Sequence, residues 1–385
     1  MSRIKKISKR TLAVLALFLA GGWLATSMGV YAPPAPQIPG APYAAVTATP
    51  EYAAAIAEAR KVALEVHGRG APGLAVAVGV NGTIVWAEGF GYADVENRVP
   101  VWPTTRFRIG SVSKPVTAAA VARLIEAGKL DLDAPVQKYV PYFPDKGAVI
   151  TTRLAGGHLA GLRHYRGEEF LLNRRFNSVR ESLTIFQDDP LLHPPGSRYS
   201  YSSYGWNLVS AVVEGASGEE FLAYMDKTVF GPLGMRHTVP DWNHRIIEHR
   251  TRFYQRTREG ELQNAPAVDN SYKWAGGGFL STVEDLVRFG SAHLRPGFLK
   301  KETLDVLFTS QKTAEGKETG YGIGWSSRRD AAGRRIVTHG GGSIGGTTQL
   351  AVYLDGGVVV AMVANLSGAQ LRPRDYEAIA APFLK

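Results

Sequence analysis

Ser111 and Lys114 stand three residues apart in Gly110-Ser111-Val112-Ser113-Lys114-Pro115. At the start of a helix, residues i and i+3 share a face, which sets the lysine amine beside the serine hydroxyl. A serine hydroxyl is a weak nucleophile until a base removes its proton. Lysine can be that base only when burial or nearby cations bring its pKa down from about 10.4. A helix N-terminus also favours the negative charge that develops there. The pattern by itself is weak, since Ser2-Arg3-Ile4-Lys5 repeats it in a basic leader. On spacing alone, an ordinary helix cap competes with catalysis at Ser111.

Two other patterns invite chemistry. Gly341-Gly342-Ser343-Ile344-Gly345 fits the Gly-x-Ser-x-Gly nucleophile elbow. That elbow needs a helix directly after it and a later histidine. Here Thr347 to Tyr353 reads as a strand, and the last histidine is His339. His244-Arg245-Ile246-Ile247-Glu248-His249 superficially resembles a zinc motif. Histidines five apart do not share a helical face, whereas the working motif spaces them by four. The segment is expected to be a surface helix, and no metal or other cofactor is expected. With no cysteine in the chain, disulfides, thiolate nucleophiles and cysteine-ligated zinc are excluded.

The elements that must position Ser111 can be read from periodicity and turn residues. Glu51 to His67 and Pro115 to Lys129 suit helices, and Pro115 falls in a first turn, where its missing N–H is harmless. Leu74 to Val80 and Thr83 to Phe90 are apolar β-formers around Asn81-Gly82, a strong hairpin signal. The middle of the chain, to about residue 310, reads as mostly helical and loop-like. Within it, Ser281-Thr282-Val283-Glu284 forms a capping box. Strands return at Tyr321 to Ser326, Arg335 to Thr338, Thr347 to Tyr353 and Val358 to Ala364, the last two around Asp355-Gly356. A helix follows from about Arg374. The predicted fold class is α+β: an antiparallel sheet built from N- and C-terminal strands, flanked by helices, with a mostly helical second lobe.

The segment Phe107 to Pro115 resembles the active-site stretch of the serine β-lactamase-like and penicillin-binding-protein-like hydrolases, the family of class C β-lactamases, D-aminopeptidases and related esterases. The resemblance continues through Ile150 to Tyr165, Tyr199 to Gly205, Trp274 to Thr282 and His339-Gly340-Gly341-Gly342. Order and spacing fit over roughly residues 51 to 365. Gly128 to Asp133, Gly161 to Tyr165 and Asp269 to Trp274 are most similar to the branch of mitochondrial serine β-lactamase-like proteins and their bacterial relatives.

This resemblance implies a Ser-x-x-Lys hydrolase. Ser111 would attack a carbonyl and become acylated. Lys114 and Tyr201 would share proton transfer, with a cationic Lys114 depressing the tyrosine pKa. The N–H groups of Ser111 and Gly342 would form the oxyanion hole, and Ser203, His339 and Gly341 would complete the substrate-binding surface. Two departures matter. Ser203 stands where many relatives carry asparagine, and a hydroxyl cannot replace both functions of an amide. His339 stands where many β-lactamases carry lysine, and histidine is mostly neutral near pH 7. An ester or amide (peptide-type) substrate is therefore expected, with weak or no β-lactamase activity. The alternative is a penicillin-recognising or scaffold protein of the same fold with slow or no turnover.

Net charge is +10 over 385 residues, and Arg3, Lys5, Lys6, Lys9 and Arg10 supply half of it. The remaining excess is unclustered, so no nucleic-acid surface is expected. Thr11 to Ala32 is uncharged and long enough to span a bilayer. The basic flank places residues 1–10 in the cytoplasm and the rest outside. An uncleaved anchor is favoured over a cleaved signal, because no small-x-small cleavage site ends the apolar run. Both put the catalytic part on the periplasmic side of the cytoplasmic membrane. Residues 33–50 read as a proline-rich stalk and 51–385 as the hydrolase domain. The expected partners are a small-molecule or peptide substrate and the membrane.

Overall fold

A computed structural model of the chain describes residues 44–384. The basic leader, the apolar segment and residues 33–43 of the stalk lie outside the described residues. Among the described residues, no helix is long and apolar enough to cross a membrane.

In chain order the main elements are β1 (Ala44–Ala48), α1 (Ala53–His67), β2 (Gly73–Val80), β3 (Thr83–Asp94), α2 (Ser113–Glu126) and α3 (Ser203–Ser217). They continue with α4 (Val283–Ser291), β4 (Ser326–Arg329), β5 (Arg335–Ser343), β6 (Gly346–Tyr353), β7 (Val358–Ala364) and α5 (Pro373–Ala380). These strands form an antiparallel sheet in the order β1-β3-β2-β7-β6-β5-β4, and the short strand Val99–Pro100 pairs with β3 as an eighth. The joint between chain halves is β7 on β2, with Val358 opposite Val80 and Ala364 opposite Leu74. This is the interrupted sheet that the sequence predicts.

Both faces of the sheet are covered, which is why its central strands read as unbroken apolar runs. Val359, Ala361 and Val363 of β7 face the core shared with the helical lobe. Val358, Val360, Met362 and Ala364 face a second core under α1 and α5. The period of two along a strand divides one sequence between two cores. In the helical lobe, α2 is buried nearly all round, with Ala118 to Ala122 at 0% exposure. Small side chains let neighbouring elements approach its backbone, and Ser111 is held at its N-terminal end. Besides helices, this lobe holds a small sheet of Phe107–Arg108, Phe279–Ser281 and Val239–Pro240, while a hairpin of Tyr254–Arg256 with Leu262–Asn264 packs its Tyr254 and Leu262 against the second core.

Four local expectations are corrected. Residues 44–48, taken as the end of the stalk, form β1 on the edge of β3. Tyr321 to Trp325 are not a strand; positive φ at Gly320 (72°) and Gly324 (79°) bends the segment, and β4 begins only at Ser326. The N-cap of α4 is Thr282, whose hydroxyl accepts from Asp285 N, one residue later than the predicted box. The Asp285 carboxylate is taken instead by His237 N, Thr238 and Arg288. The segment 244–249 is loop rather than helix.

Candidate active site

Ser111 lies in a 3-10 turn, Gly110–Val112, that runs directly into α2. This turn packs backbone to backbone against β5. A Cβ on Gly110 would lie 2.5 Å from Gly342 O, and one on Gly341 would lie 2.0 Å from Ile109 O. Any side chain at either position would push the two apart. β4 pairs only with Arg335 to Thr338, so the outer edge of β5 from His339 onward is left to the nucleophile turn. That open edge brings Gly342 next to Ser111.

Two polar groups converge on the serine. Lys114 Nζ is 3.0 Å from Ser111 Oγ, and the Tyr201 hydroxyl is 2.9 Å from it. Lys114 also reaches Gly276 O at 2.7 Å and Ser203 Oγ at 3.1 Å. Lys114 is fully buried and has no carboxylate partner among the described residues. Burial, helped by the charge of Lys273, pushes its pKa well below the usual lysine value. A neutral amine has two N–H donors and one lone pair. Gly276 O can only accept, Ser203 Oγ can accept, and the lone pair remains for the Ser111 proton.

The expectation for Tyr201 is reversed by this burial. Burial works against a cationic Lys114, and desolvation raises the Tyr201 pKa above its ordinary value. Tyr201 is a protonated donor at rest. Its position is set by the start of α3. Ser202 caps that helix through Gly205 N, and its hydroxyl donates to Arg163 O at 2.6 Å. Two histidines hold the same loop: Ser202 N donates to His158 Nδ1 and Ser203 N to His164 Nδ1, each at 3.1 Å. Both rings act as acceptors, in keeping with lowered pKa values caused first by burial, to about 4 for His164.

His339 is placed differently from the expectation. Its Nδ1 donates to Gly340 O at 2.7 Å, and its Nε2 accepts from the Tyr321 hydroxyl at 2.9 Å. Burial above all brings its pKa to about 3, so it is neutral. Both ring nitrogens are engaged in the protein, and the ring does not line the cleft. Tyr321 packs in turn on His158, which packs on Tyr201 at 4.2 Å between centroids. His339 therefore supports the wall behind Tyr201. Ser343, the rival nucleophile, ends β5 at a tight turn into β6 with no helix after it.

The cleft above Ser111 holds about 350 Å³ and is lined by Ser203, His164, Phe170, Lys273, Gly276 and Gly342, among others. A larger depression of about 800 Å³ around Arg250 and Phe253 contains none of the converging groups. Sequence reasoning assigned no role to His158, His164, Tyr321 or Lys273. The first two lie within His158 to Tyr165 and Lys273 precedes Trp274, both inside stretches that carry the family resemblance, but nothing local marks their direction.

A serine turned onto the N-terminus of a buried helix, with a lysine one turn on and a strand edge beside it, defines the serine β-lactamase and penicillin-binding-protein type of fold. Residues 54–382 match the Beta-lactamase family model, and the chain belongs to that family. It is 36% identical to the human (Homo sapiens) mitochondrial serine β-lactamase-like protein LACTB, over 88% of this chain and 81% of that protein. Among solved structures, the octameric penicillin-binding protein homologue from Pyrococcus abyssi is 27% identical, with a TM-score of 0.72 over 85% of this chain and 76% of the other. A D-stereospecific amidohydrolase from Streptomyces shares the fold with a TM-score of 0.72 at 23% identity, over 85% and 98% of the two chains.

Proposed function

We propose that this protein is a serine hydrolase that acts through a Ser111 acyl-enzyme on an ester or amide (peptide-type) substrate, with weak or no β-lactamase activity. The observation that carries this reading is the convergence of the Lys114 amine and the Tyr201 phenol on one serine oxygen. Lys114 takes the Ser111 proton as Oγ attacks the carbonyl. The oxyanion forms against the N–H groups of Ser111 and Gly342, and losing one such donor costs about 3 kcal/mol. Tyr201 gives its proton to the leaving group and is reprotonated from Lys114, which restores both groups. Water then attacks the acyl-enzyme with the same pair acting in reverse.

Membership of the β-lactamase family, whose fold is shared by an amidohydrolase, supports the reaction class. The ester or amide preference rests on Ser203 and a neutral His339 at the departing positions. The N-terminal segment is read as an anchor that holds the domain on the periplasmic side of the cytoplasmic membrane. Mass spectrometry after treatment with a fluorophosphonate and with penicillin tests the reading. Labelling of Ser111 with rapid loss of any acyl adduct is expected. A penicilloyl adduct that persists would favour a penicillin-recognising protein, and no labelling would refute the hydrolase.

A further inference from the structure

We propose that Lys273 is a cationic subsite of the cleft that selects substrates carrying a carboxylate near the scissile bond; this rests on the hydrolase reading above. Lys273 ends the 3-10 turn Asn270–Lys273, opposite in the chain to the β5 position where many β-lactamases keep a lysine. Its side chain is 1% exposed, yet it lines the cleft above Ser111. The amine sits 4.1 Å from the Phe170 ring centroid and 5.1 Å from that of Tyr272. Aromatic faces attract a cation but satisfy none of its N–H groups.

No oxygen partner is available to it among the described residues, where the Lys273 amine has no hydrogen bond or ion pair. Asp241, the acid whose charge it feels, is held by Arg108 at 2.7 Å and Asn270 at 2.8 Å. A buried ammonium without an anion is costly. Burial and the charge of Arg108 accordingly bring the Lys273 pKa to about 7. An anion entering the cleft would complete the site and hold the proton on the amine. His164, the other basic group in the lining, is kept neutral and accepts a backbone N–H. The cation thus stands on a different element from the β5 position of the β-lactamase lysine.

The test compares matched substrates on the full chain. One pair is the glutaryl and pentanoyl esters of the same fluorogenic alcohol; the other is phenyl butyrate and 3-carboxyphenyl butyrate. These place the carboxylate on the acyl side or on the leaving group. The readout is the ratio of kcat/KM for charged over neutral substrate, which a general loss of activity does not move. The wild type should favour the charged member of one pair by roughly tenfold or more, as a desolvated ion pair allows. Lys273→Met should bring that ratio to about one, and Lys273→Arg should retain part of it. Lys273→Gln reads the same ratio if the methionine variant fails to fold. A wild-type ratio near one in both pairs, or a preference that survives Lys273→Met and Lys273→Gln, overturns the proposal. Turnover without preference sinks only the subsite; absence of both turnover and fluorophosphonate labelling sinks the hydrolase and the subsite together.

Discussion

Replacing Lys114 by methionine should yield a protein that is nearly inactive and yet more stable than the wild type near pH 7. Lys114 is 0% exposed and has no carboxylate partner among the described residues, so folding works against its charged form. A lowered lysine pKa costs about 1.4 kcal/mol of stability for each unit of the shift that lies above the working pH. Methionine has similar length and carries no such cost. Against this, Gly276 O and Ser203 Oγ lose a donor, worth about 1–3 kcal/mol. A net gain is expected, and each kcal/mol of it raises Tm by roughly 1–2 °C for a domain of this size. Because the folded-state pKa is lowered, the unfolded chain binds the extra proton. Wild-type stability should therefore rise with pH through the window from the lowered value up to about 10.4. The variant lacks this rise, so its advantage should shrink steadily from pH 7 toward pH 10. Melting curves of both proteins at several pH values give the comparison, and kcat/KM should fall by roughly 10² to 10⁴. A variant less stable than wild type by a pH-independent amount would show that Lys114 is buried as a stabilised cation and is not the resting base.

Ser111→Ala should abolish labelling by serine-directed probes without unfolding the domain, while Ser343→Ala should keep substantial activity; the opposite outcome would move the nucleophile to Ser343. Tyr201→Phe should lower kcat/KM by roughly 10² to 10⁴, and its combination with Lys114→Met should be far from additive, since the pair acts as a unit; clean additivity would separate them. The acid limb of kcat/KM should follow Lys114, with activity lost as pH falls through its lowered pKa. Because His339 is held to about 3, the profile between pH 5 and 9 should contain no histidine step from it, and a limb removed by His339→Gln would contradict its place behind Tyr321. Protease added to spheroplasts should digest the domain while sparing a tag at Met1; protection until the inner membrane is ruptured would reverse the topology.

Much of the architecture was legible because it depends on local rules. The β2–β3 hairpin follows from Asn81-Gly82, where both residues take positive φ, 51° and 91°. Apolar runs at Leu74 to Val80 and Val358 to Ala364 marked central strands, and five ordered motifs marked the family. The misreadings are as instructive. Tyr321 to Trp325 alternates like a strand, but Gly322 and Gly324 replace the side chains that would have packed one face. A Cβ on Gly324 would lie 2.9 Å from Ala118, so that loop is shaped by its approach to α2. The cap of α4 falls at Thr282, and the Asp285 carboxylate that could have closed a box there is claimed by partners more than forty residues away.

The residue types of the site and their chain order, Ser111, Lys114, Tyr201 and the glycines of β5, were determined by the sequence itself, since a helix fixes which face residues three apart share. Their charge states and directions were not. Whether Lys114 is an ammonium or an amine depends on how completely the helical lobe excludes water from it. Whether His339 meets substrate or Tyr321 depends on which side of β5 the bent loop before Ser326 covers. Lys273 gained its cleft and its aromatic cage only when Phe170, a hundred residues earlier, was folded over it. Burial and long-range contact set solvation, solvation sets protonation, and neither is a property of any short stretch of chain.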